Sequence, residues 1–339
     1  MTDAGRDGST GSAAARGSTE ALQGLLGGTA TLCRRAITGE PGVALPPLID
    51  HHVHVHLIDE HALPAGGIAG VVDLGGDPIG FARREGAGMP HVVHAGAFLT
   101  APGGYPSGRG WAPDAIVRTV SSPSAHPGVA GGAATAVDEQ ASFGASLIKV
   151  ALNSTAGPVF GSATLEAIVV AARGHDLPVV AHVEGDGMTR LALDAGVDAL
   201  AHTPFTEALD DDLIGRAVAA GQTWISTLGI HGADPAAEAN ALANLEAFVA
   251  ADGTVLYGTD LGNGDRRFGV LVEELRALDR VGVRGDRLIA ALCDPWPAAA
   301  PAGVSTFVPG PPPTTLGDVA EWLGRAAVVP SEELIHDDH

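Results

Sequence analysis

Short apolar runs alternate with longer Ala- and Leu-rich stretches from residue 46 onward. The apolar runs read LIDHHVHV, GIAGVVDL, HVVHAGAF, SLIKVAL, PVVAHVEG, DALAHTPF, QTWISTLG and TVLYGTDL. Continuous apolar strands that alternate with helices are typical of a parallel sheet covered by helices. Eight such units can close into a (β/α)8 TIM barrel, which takes about 250 residues. Residues 46–300 have that size, so the pattern predicts an α/β protein with this barrel. An open doubly wound sheet is the alternative, but no Gly-rich phosphate fingerprint follows the first run.

The segments that flank the barrel region have a different composition. Residues 1–20 are rich in Gly, Ser, Ala and Thr and are predicted to form a disordered tail. Residues 21–45 are predicted to form a short N-terminal strand segment. Residues 301–339 begin with proline-rich sequence and contain one amphipathic stretch, LGDVAEWLGRAA. We therefore expect a C-terminal extension with one helix.

Composition restricts the partners and the compartment. The chain has 339 residues and a formal net charge of −21, which disfavours nucleic acids and anionic membrane surfaces as partners. Two cysteines, Cys33 and Cys293, do not form a disulfide framework. The chain shows neither a secretory leader nor an apolar run long enough to span a membrane. The sequence thus predicts a cytoplasmic protein that acts on a small molecule, with a homodimer possible through apolar faces of the outer helices.

The first apolar run ends in a cluster of histidines. It reads Asp50-His51-His52-Val53-His54, and residues two apart in a strand point to the same side. His52 and His54 are therefore expected to face the barrel interior, with His51 on the other side. Two imidazoles that face one cavity repel each other as cations but can share a metal ion as neutral ligands.

Other apolar runs contain single polar or charged residues of types that are uncommon in a buried core. Lys149 lies in LIKVAL, His182 in AHVEG, His202 in LAHTPF and Asp260 in YGTDLG. Buried Lys and Asp are rare unless they are paired or bound to metal. One site at the C-terminal ends of the strands, where barrel enzymes keep their active sites, would explain all of them. The alternative for Lys149 is a salt bridge across the barrel.

These segments together resemble the amidohydrolase superfamily. PPLIDHHVH is similar to the opening motif of that superfamily, and GIAGVVDLGG to the motif of its second strand. HAGAFLTAPGG resembles the third-strand region of the imidazolonepropionase-like and prolidase-like branch. LIKVAL, AHVEG, LAHTPF and YGTDLG match the remaining strand ends in order, so the resemblance covers about residues 40–300.

The resemblance implies a centre with two divalent metal ions, with zinc as the expected metal. The implied ligands are His52 and His54 on the more buried ion, His182 and His202 on the outer ion, N-carboxylated Lys149 as the bridge, and Asp260. Asp260 would contact the buried ion and act as the general base, so Asp260 and His202 are the candidate catalytic residues. Asp50 is a candidate for orienting one of the histidines.

The implied activity is hydrolysis of an amide, a cyclic amide or a related carbonyl bond of a small molecule by a metal-activated hydroxide. The prolidase-like resemblance points to dipeptides or N-acyl amino acids as substrates. Deaminase or non-hydrolytic lyase and isomerase chemistry on the same scaffold is one alternative. A catalytically inactive barrel that serves as a binding protein is the other.

Further residues are candidates for contact with substrate. They are Tyr105, His231, Glu184 and His56. Arg109 could pair with a substrate carboxylate and residues 265–267 on the eighth loop could contact substrate, but exposure at the surface is the favoured expectation for both. Asp73 is expected to cap backbone amides at a strand end. The sequence also departs from the family pattern, because Pro47 replaces the usual Gly and the chain ends are short. We expect a vestigial β-sandwich or none, and no return strands from the C-terminus.

Overall fold

The computed structural model describes residues 19–84, 88–264 and 266–336. Most of the segment predicted as a disordered tail, and Asp265 on the eighth loop, lie outside these residues. The described chain is a mixed α/β fold whose strands and helices alternate through most of its length.

The strands follow one another closely along the chain. In chain order they are β1 (Thr31–Arg35), β2 (Pro41–Leu45), β3 (Leu48–Val53), β4 (Ile68–Asp73), β5 (His91–His94), β6 (Phe98–Thr100), β7 (Val117–Thr119), β8 (Ile148–Asn153), β9 (Val179–Glu184), β10 (Ala199–Leu200), β11 (Thr223–Ile225), β12 (Thr254–Leu256), β13 (Val304–Pro309), β14 (Ala327–Pro330) and β15 (Leu334–His336).

The helices separate most of the strands. They are α1 (19–26), α2 (Pro78–Ala82), α3 (Ala133–Ser142), α4 (Ser162–Arg173), α5 (Met188–Asp194), α6 (Asp211–Ala219), α7 (Pro235–Ala250), α8 (Val272–Arg280), α9 (Asp286–Cys293) and α10 (Val319–Leu323). None of these helices has both the length and the apolar character needed to cross a membrane.

Local sequence explains where two of these helices begin. The carboxylate of Asp210 accepts a hydrogen bond of 2.7 Å from the backbone N–H of Leu213 and so caps α6. Asp234 caps α7 in the same way and is followed by Pro235 at the first helical position. In α6, the buried residues Leu213, Ile214 and Ala217 recur at helical spacing and bury one face of the helix.

The strands from β3 through β12 pair in parallel and form two sheets. One sheet has the order β3-β4-β5, and the other has the order β12-β11-β10-β9-β8-β6-β7. The short strands β5 and β6 follow each other in the chain but belong to different sheets. Strand β5 pairs with β4, and β6 pairs with β8. The segment after β12 lies along β3, because the backbone N–H of Asp260 donates to the carbonyl of His52 and Val53 bridges to Leu261 in parallel. The parallel α/β organisation predicted from the sequence is thus confirmed, whereas closure into one barrel sheet stays a prediction.

One apolar cluster lies between these parallel strands. Its members come from strands β3 to β5, from the start of β8 and from β9 to β12, and they are Ile49, Val72, Leu74, Val93, Ala95, Leu147, Val180, Ala199, Ala201, Ile225 and Leu256. Trp296, in the segment after α9, packs against the cluster. Side chains from both parallel sheets therefore share a single core.

Both ends of the chain meet in a five-stranded antiparallel sheet of order β14-β13-β2-β1-β15. Strand β13 pairs with β2 from Thr306–Leu45 to Pro309–Gly42, and β15 pairs with β1. The expectation that the C-terminus lacks return strands is therefore wrong, and the segment predicted to carry one helix carries three strands besides α10. These pairings join residues more than 250 positions apart, and local sequence patterns do not report such contacts. Helix α1 in the N-terminal segment was also not predicted.

Candidate metal centre

A cavity of about 370 Å³ lies at the C-terminal ends of the parallel strands. All six predicted metal ligands line it, together with three of the four candidate substrate residues. The lining side chains include His52, His54, Tyr105, Lys149, His182, Glu184, His202, His231 and Asp260. The structure therefore brings residues from six strands or strand ends of this α/β fold into one site.

His52 and His54 enter this cavity from the end of β3, as the alternation of the strand predicts. Both side chains are buried, with 1% and 7% of their surface exposed. Nδ1 of His52 donates to the carbonyl oxygen of Ala201 at 2.8 Å, and Nδ1 of His54 lies 3.3 Å from the carbonyl oxygen of Gly75. Because a carbonyl can only accept, each Nδ1 carries the proton and each Nε2 keeps a free lone pair. This tautomer is the one that a metal ligand needs.

Asp260 reaches the same point from the segment after β12. Its backbone has a φ of 54°, a left-handed conformation that is uncommon for residues other than Gly. The side-chain amide of Asn263 donates to Oδ2 of Asp260 at 3.0 Å. The other oxygen, Oδ1, lies 3.2 Å from Nε2 of His52 and 3.3 Å from Nε2 of His54. Strained backbone of this kind clusters at functional sites.

The ligand atoms of His52, His54 and Asp260 lie within 4.8 Å of one another. Nε2 of His52 and Oδ1 of Asp260 are buried and have no hydrogen-bond partner among the described residues. Buried polar atoms nearly always have a hydrogen-bond partner or a metal ion beside them. These two atoms therefore call for a partner from outside the protein. Two imidazole nitrogens and a carboxylate oxygen are a donor set that suits a divalent transition-metal ion such as zinc.

The electrostatics of the site favour neutral imidazoles. Burial lowers the pKa of His52 and of His202 well below the usual value, and neighbouring positive charge lowers it further. Burial alone would raise the pKa of Asp260, but the neighbouring imidazoles of His54 and His202 and the side-chain amide of Asn263 hold it well below its usual range. Metal binding requires deprotonated ligands, and both conditions are met here.

Lys149 lies deep in the cavity on β8, with 1% of its surface exposed. It is the only lysine of the chain, in which arginine supplies every other basic side chain apart from histidine. Within the part of the chain that the structure describes, no carboxylate oxygen lies within 4 Å of its Nζ. Burial lowers the pKa of Lys149 to about 7. The structure thus gives no salt bridge for Lys149, and a neutral amine is the form that can be carboxylated.

His182 and His202 complete the wall of the cavity. The ring centres of His182 and His202 are 5.0 Å apart, and those of His202 and His52 are 4.7 Å apart. Nδ1 of His202 shares a hydrogen bond of 2.9 Å with the hydroxyl of Thr227, which fixes the orientation of the ring. The four imidazoles therefore form a continuous group around one space.

Solved structures share this arrangement of strands and helices. The most similar ones include a Xaa-Pro dipeptidase with methionine bound in its active site, at 18% identity, a TM-score of 0.67 and 86% coverage of both chains. An amidohydrolase matches at 20% identity, a TM-score of 0.65 and 87% coverage of both chains. A prolidase in complex with N-methylphosphonate-L-proline matches at 20% identity, a TM-score of 0.62 and 86% coverage of both chains.

The chain has the amidohydrolase fold. This confirms, at the level of fold, the resemblance that the strand-end motifs predict. No family model matches the sequence, and no curated protein matches it either. The assignment therefore rests on the course of the chain in three dimensions.

Within this amidohydrolase fold, Glu184 does more than face the cavity. Nε2 of His182 donates to Oε2 of Glu184 at 3.2 Å, because a carboxylate can only accept. Asn153 and Thr155 donate to the same carboxylate at 2.6 Å and 2.7 Å. Glu184 was predicted only as a substrate contact, and its hydrogen bonds show that it also orients His182 and leaves Nδ1 of that ring for another ligand.

Two buried aspartates hold the backbone around the cavity. Asp50 accepts hydrogen bonds from the backbone N–H groups of His52 and Thr259, so it ties β3 to the segment that carries Asp260. Asp50, the candidate for orienting a histidine, holds His52 through its backbone N–H and also accepts from the Thr259 hydroxyl. Asp73 accepts from the N–H groups of Val55 and Gly75, which confirms its predicted capping role.

The remaining predicted residues divide between the cavity and the surface. Tyr105 stacks on His182 with ring centres 5.1 Å apart, and His231 lines the far wall. His56 is exposed and does not line the cavity, although its ring centre is 6.1 Å from that of His54. Arg109 is exposed, as predicted. His51 lies outside the cavity and bonds to the carbonyls of Tyr257 and Asp294.

Sequence reasoning missed several residues of the cavity wall. They are Leu57, Phe98, Trp111, Phe205, Ile230, Gly262 and Asn263. Aromatic residues are 4% of this chain, so a tryptophan in the Gly-rich stretch GRGW was a usable sign of a functional loop. The apolar residues among the others had no such sign, because apolar side chains near strand ends are ordinary core residues. Gly262 and Asn263 lie in a stretch that reads as an ordinary polar turn.

Proposed function

We propose that this protein is a metal-dependent hydrolase of an amide, a cyclic amide or a related carbonyl bond of a small molecule. One observation carries the proposal: the ligand atoms of His52, His54 and Asp260 converge within 4.8 Å, and two of them are buried without a protein partner. The solved structures that share the fold add to this support, since they include a dipeptidase, a prolidase and an amidohydrolase.

We further infer that the parallel strands close into a (β/α)8 barrel. The two parallel sheets contribute to one apolar cluster, and the segment that follows β12 is hydrogen-bonded along β3. Such a barrel places the ends of its strands around a single mouth, which is where the cavity lies. The five-stranded antiparallel sheet of both chain ends would then be a small accessory layer.

In this proposal His52, His54 and Asp260 would hold one ion, and His182 and His202 would hold a second. Lys149, carboxylated on its amine, would supply an anionic oxygen ligand to the same centre. Support comes from the unbroken series of imidazoles around the cavity and from the absence of a salt bridge to Lys149 among the described residues. Zinc suits the imidazole and carboxylate donors of this set.

When bound, such ions supply an activated water molecule at neutral pH and polarise the carbonyl group of the substrate. Asp260 is placed to take a proton from the attacking water and to give it to the leaving nitrogen or oxygen. Asn263 holds one oxygen of Asp260 and leaves the other directed at the cavity. Glu184 and Thr227 fix the rings of His182 and His202, so these ligands need little reorganisation.

Two other functions use the same residues less completely. A deaminase or a lyase with one ion would not need a bridging ligand, so it would not explain Lys149. This residue is the only lysine of the chain and lies buried at the bottom of the cavity. An inactive binding barrel would not need Asp260 in a left-handed backbone conformation. Hydrolysis on two ions employs all of these features.

Removal of metal tests the proposed function. Protein treated with a chelator should lose at least about 100-fold in the release of amine from a panel of neutral amides and lactams, and zinc should restore the rate, because the ions supply the nucleophile. The variant His54→Ala should behave like the chelated protein, whereas His126→Ala, on an exposed residue, should not. Full turnover by protein that elemental analysis shows to be free of metal would contradict the proposal.

A further inference from the structure

The outer part of the cavity is built from aromatic and aliphatic side chains. Of the eight Phe, four Trp and two Tyr residues in the chain, four line this space. Phe98, Tyr105 and Trp111 form one side, with the ring of Trp111 6.0 Å from each of the other two. Phe205 and Ile230 lie on the wall next to His231. Such a wall binds flat or apolar groups by burial and by edge contacts between rings.

No arginine lines this cavity among the described residues, and Lys149 is its only lysine. Lys149 is buried at the bottom, in the position that the proposed function assigns to the ions. Arg109 is exposed, and its guanidinium carbon is 5.9 Å from the ring centre of Tyr105. Arg266 donates to the backbone carbonyl of Thr259 at 2.9 Å and does not line the space. The outer cavity therefore offers no guanidinium or ammonium group to a substrate carboxylate.

His231 lies on the outer wall, where the other polar side chains are Tyr105, Asn263 and the carboxylate of Glu184. It is 6% exposed, and its Nε2 is buried without a hydrogen-bond partner among the described residues. Its ring lies 4.4 Å from that of Phe205. Burial lowers the pKa of His231 to about 4, so the ring is neutral at physiological pH. A neutral imidazole can donate to or accept from an uncharged polar group, but it does not neutralise a carboxylate.

We propose that the substrate is an uncharged carbonyl compound with a flat aromatic or apolar group, and that His231 pairs with a polar atom of the substrate away from the scissile bond. This inference rests on the proposed function and narrows it. A substrate with a free carboxylate, such as a dipeptide or an N-acyl amino acid, would bury a charge against an outer wall to which the described residues contribute no Arg or Lys side chain. Burial of an unpaired charge is strongly unfavourable. The apolar wall and the unpartnered nitrogen of His231 instead match a neutral amide.

A pair of compounds with the same scissile bond tests the charge preference. Benzoylglycine amide and benzoylglycine share the benzoyl amide bond and differ only in a neutral or an anionic end. We expect kcat/KM of the zinc-loaded protein to be about 100-fold or more higher for the neutral compound. Equal turnover of the two, or faster turnover of benzoylglycine or of a Xaa-Pro dipeptide, would overturn the inference and leave the hydrolase proposal intact.

Two substitutions at one position test the role of His231. His231→Phe keeps a ring against Phe205 but removes both nitrogens, so it should lower kcat/KM for the neutral amide about 10-fold, mainly through KM. His231→Arg adds a cation, so it should shift the preference toward benzoylglycine. The metal content of both variants should equal that of the parent protein. His126→Phe, on an exposed residue, is the matched control.

Binding measurements separate the two proposals. If neither compound is hydrolysed, the proposed function fails for this bond, and calorimetry with the same two compounds decides the cavity inference by itself. Tighter binding of the amide, lost in His231→Phe, supports the inference. Equal or tighter binding of the carboxylate, or binding that is the same in His231→Phe, overturns it.

Discussion

Replacement of Lys149 by alanine is expected to abolish turnover. The variant should lose about 10³-fold or more in kcat/KM and at least part of its metal, because the proposed bridge between the ions disappears and each ion supplies several kcal/mol of transition-state stabilisation. Lys149 is buried in the cavity and has no carboxylate within 4 Å among the described residues. Among the described residues, its replacement therefore breaks no ion pair of the fold, so the expected loss would report on the proposed centre.

Two further measurements separate a bridge from a packing role. Acetate or propionate should restore part of the activity of Lys149→Ala. The shortened side chain leaves room for a free carboxylate, which would take the place of the proposed carbamate of Lys149. Lys149→Met fills that room with apolar atoms and should not be rescued. Since Lys149 is the only lysine, carbon-13 bicarbonate should give a single side-chain carbamate signal in the parent protein and none in either variant. Full activity in Lys149→Ala would remove the bridging role.

Replacement of Asp260 by asparagine is the second large effect. We expect turnover to fall by about 10²- to 10⁴-fold, the usual contribution of a general acid–base group, while much of the metal is retained. Asparagine tolerates the left-handed backbone, with its φ of 54°, at least as well as aspartate, so the local chain should keep its course. Metal content and the temperature of unfolding, measured beside kcat, would show whether the loss is chemical.

A matched control is available for this substitution. Asp252 also has a left-handed backbone, with a φ of 64°, but its side chain is 93% exposed and does not line the cavity. Asp252→Asn should retain the activity of the parent protein. Unchanged turnover in Asp260→Asn, or an equal loss in both variants, would remove Asp260 from the mechanism.

Much of the site could be predicted because its signals are local in sequence. Alternation in β3 puts His52 and His54 on one side, and the structure places both in the cavity. A polar residue within an apolar run is unusual enough to be noticed, as with Lys149 in β8 and His182 in β9. Parallel strands put their ends at one edge, so these separate observations predict one common place. The metal itself stays a prediction.

The missed features depend on contacts between distant parts of the chain. Strand β13 lies in a stretch between proline-rich segments and looks irregular by itself, but it pairs with β2 near the other end of the chain. Trp111 and Phe205 reach the cavity from irregular segments, whose course follows from turns and packing that periodicity does not describe. Glu184 was placed near the site correctly, but its partners Asn153 and Thr155 come from the end of β8 and could not be identified in advance.

We propose that this cavity holds a pair of divalent ions. Elemental analysis of the purified protein for metal per chain tests it most directly, after reconstitution with zinc and removal of loosely bound ions. We expect about two ions per chain in the parent protein. The number of bound ions should fall in Lys149→Ala and in His54→Ala but not in His126→Ala. One ion per chain would contradict the bridged pair, and none after reconstitution would contradict the metal centre altogether.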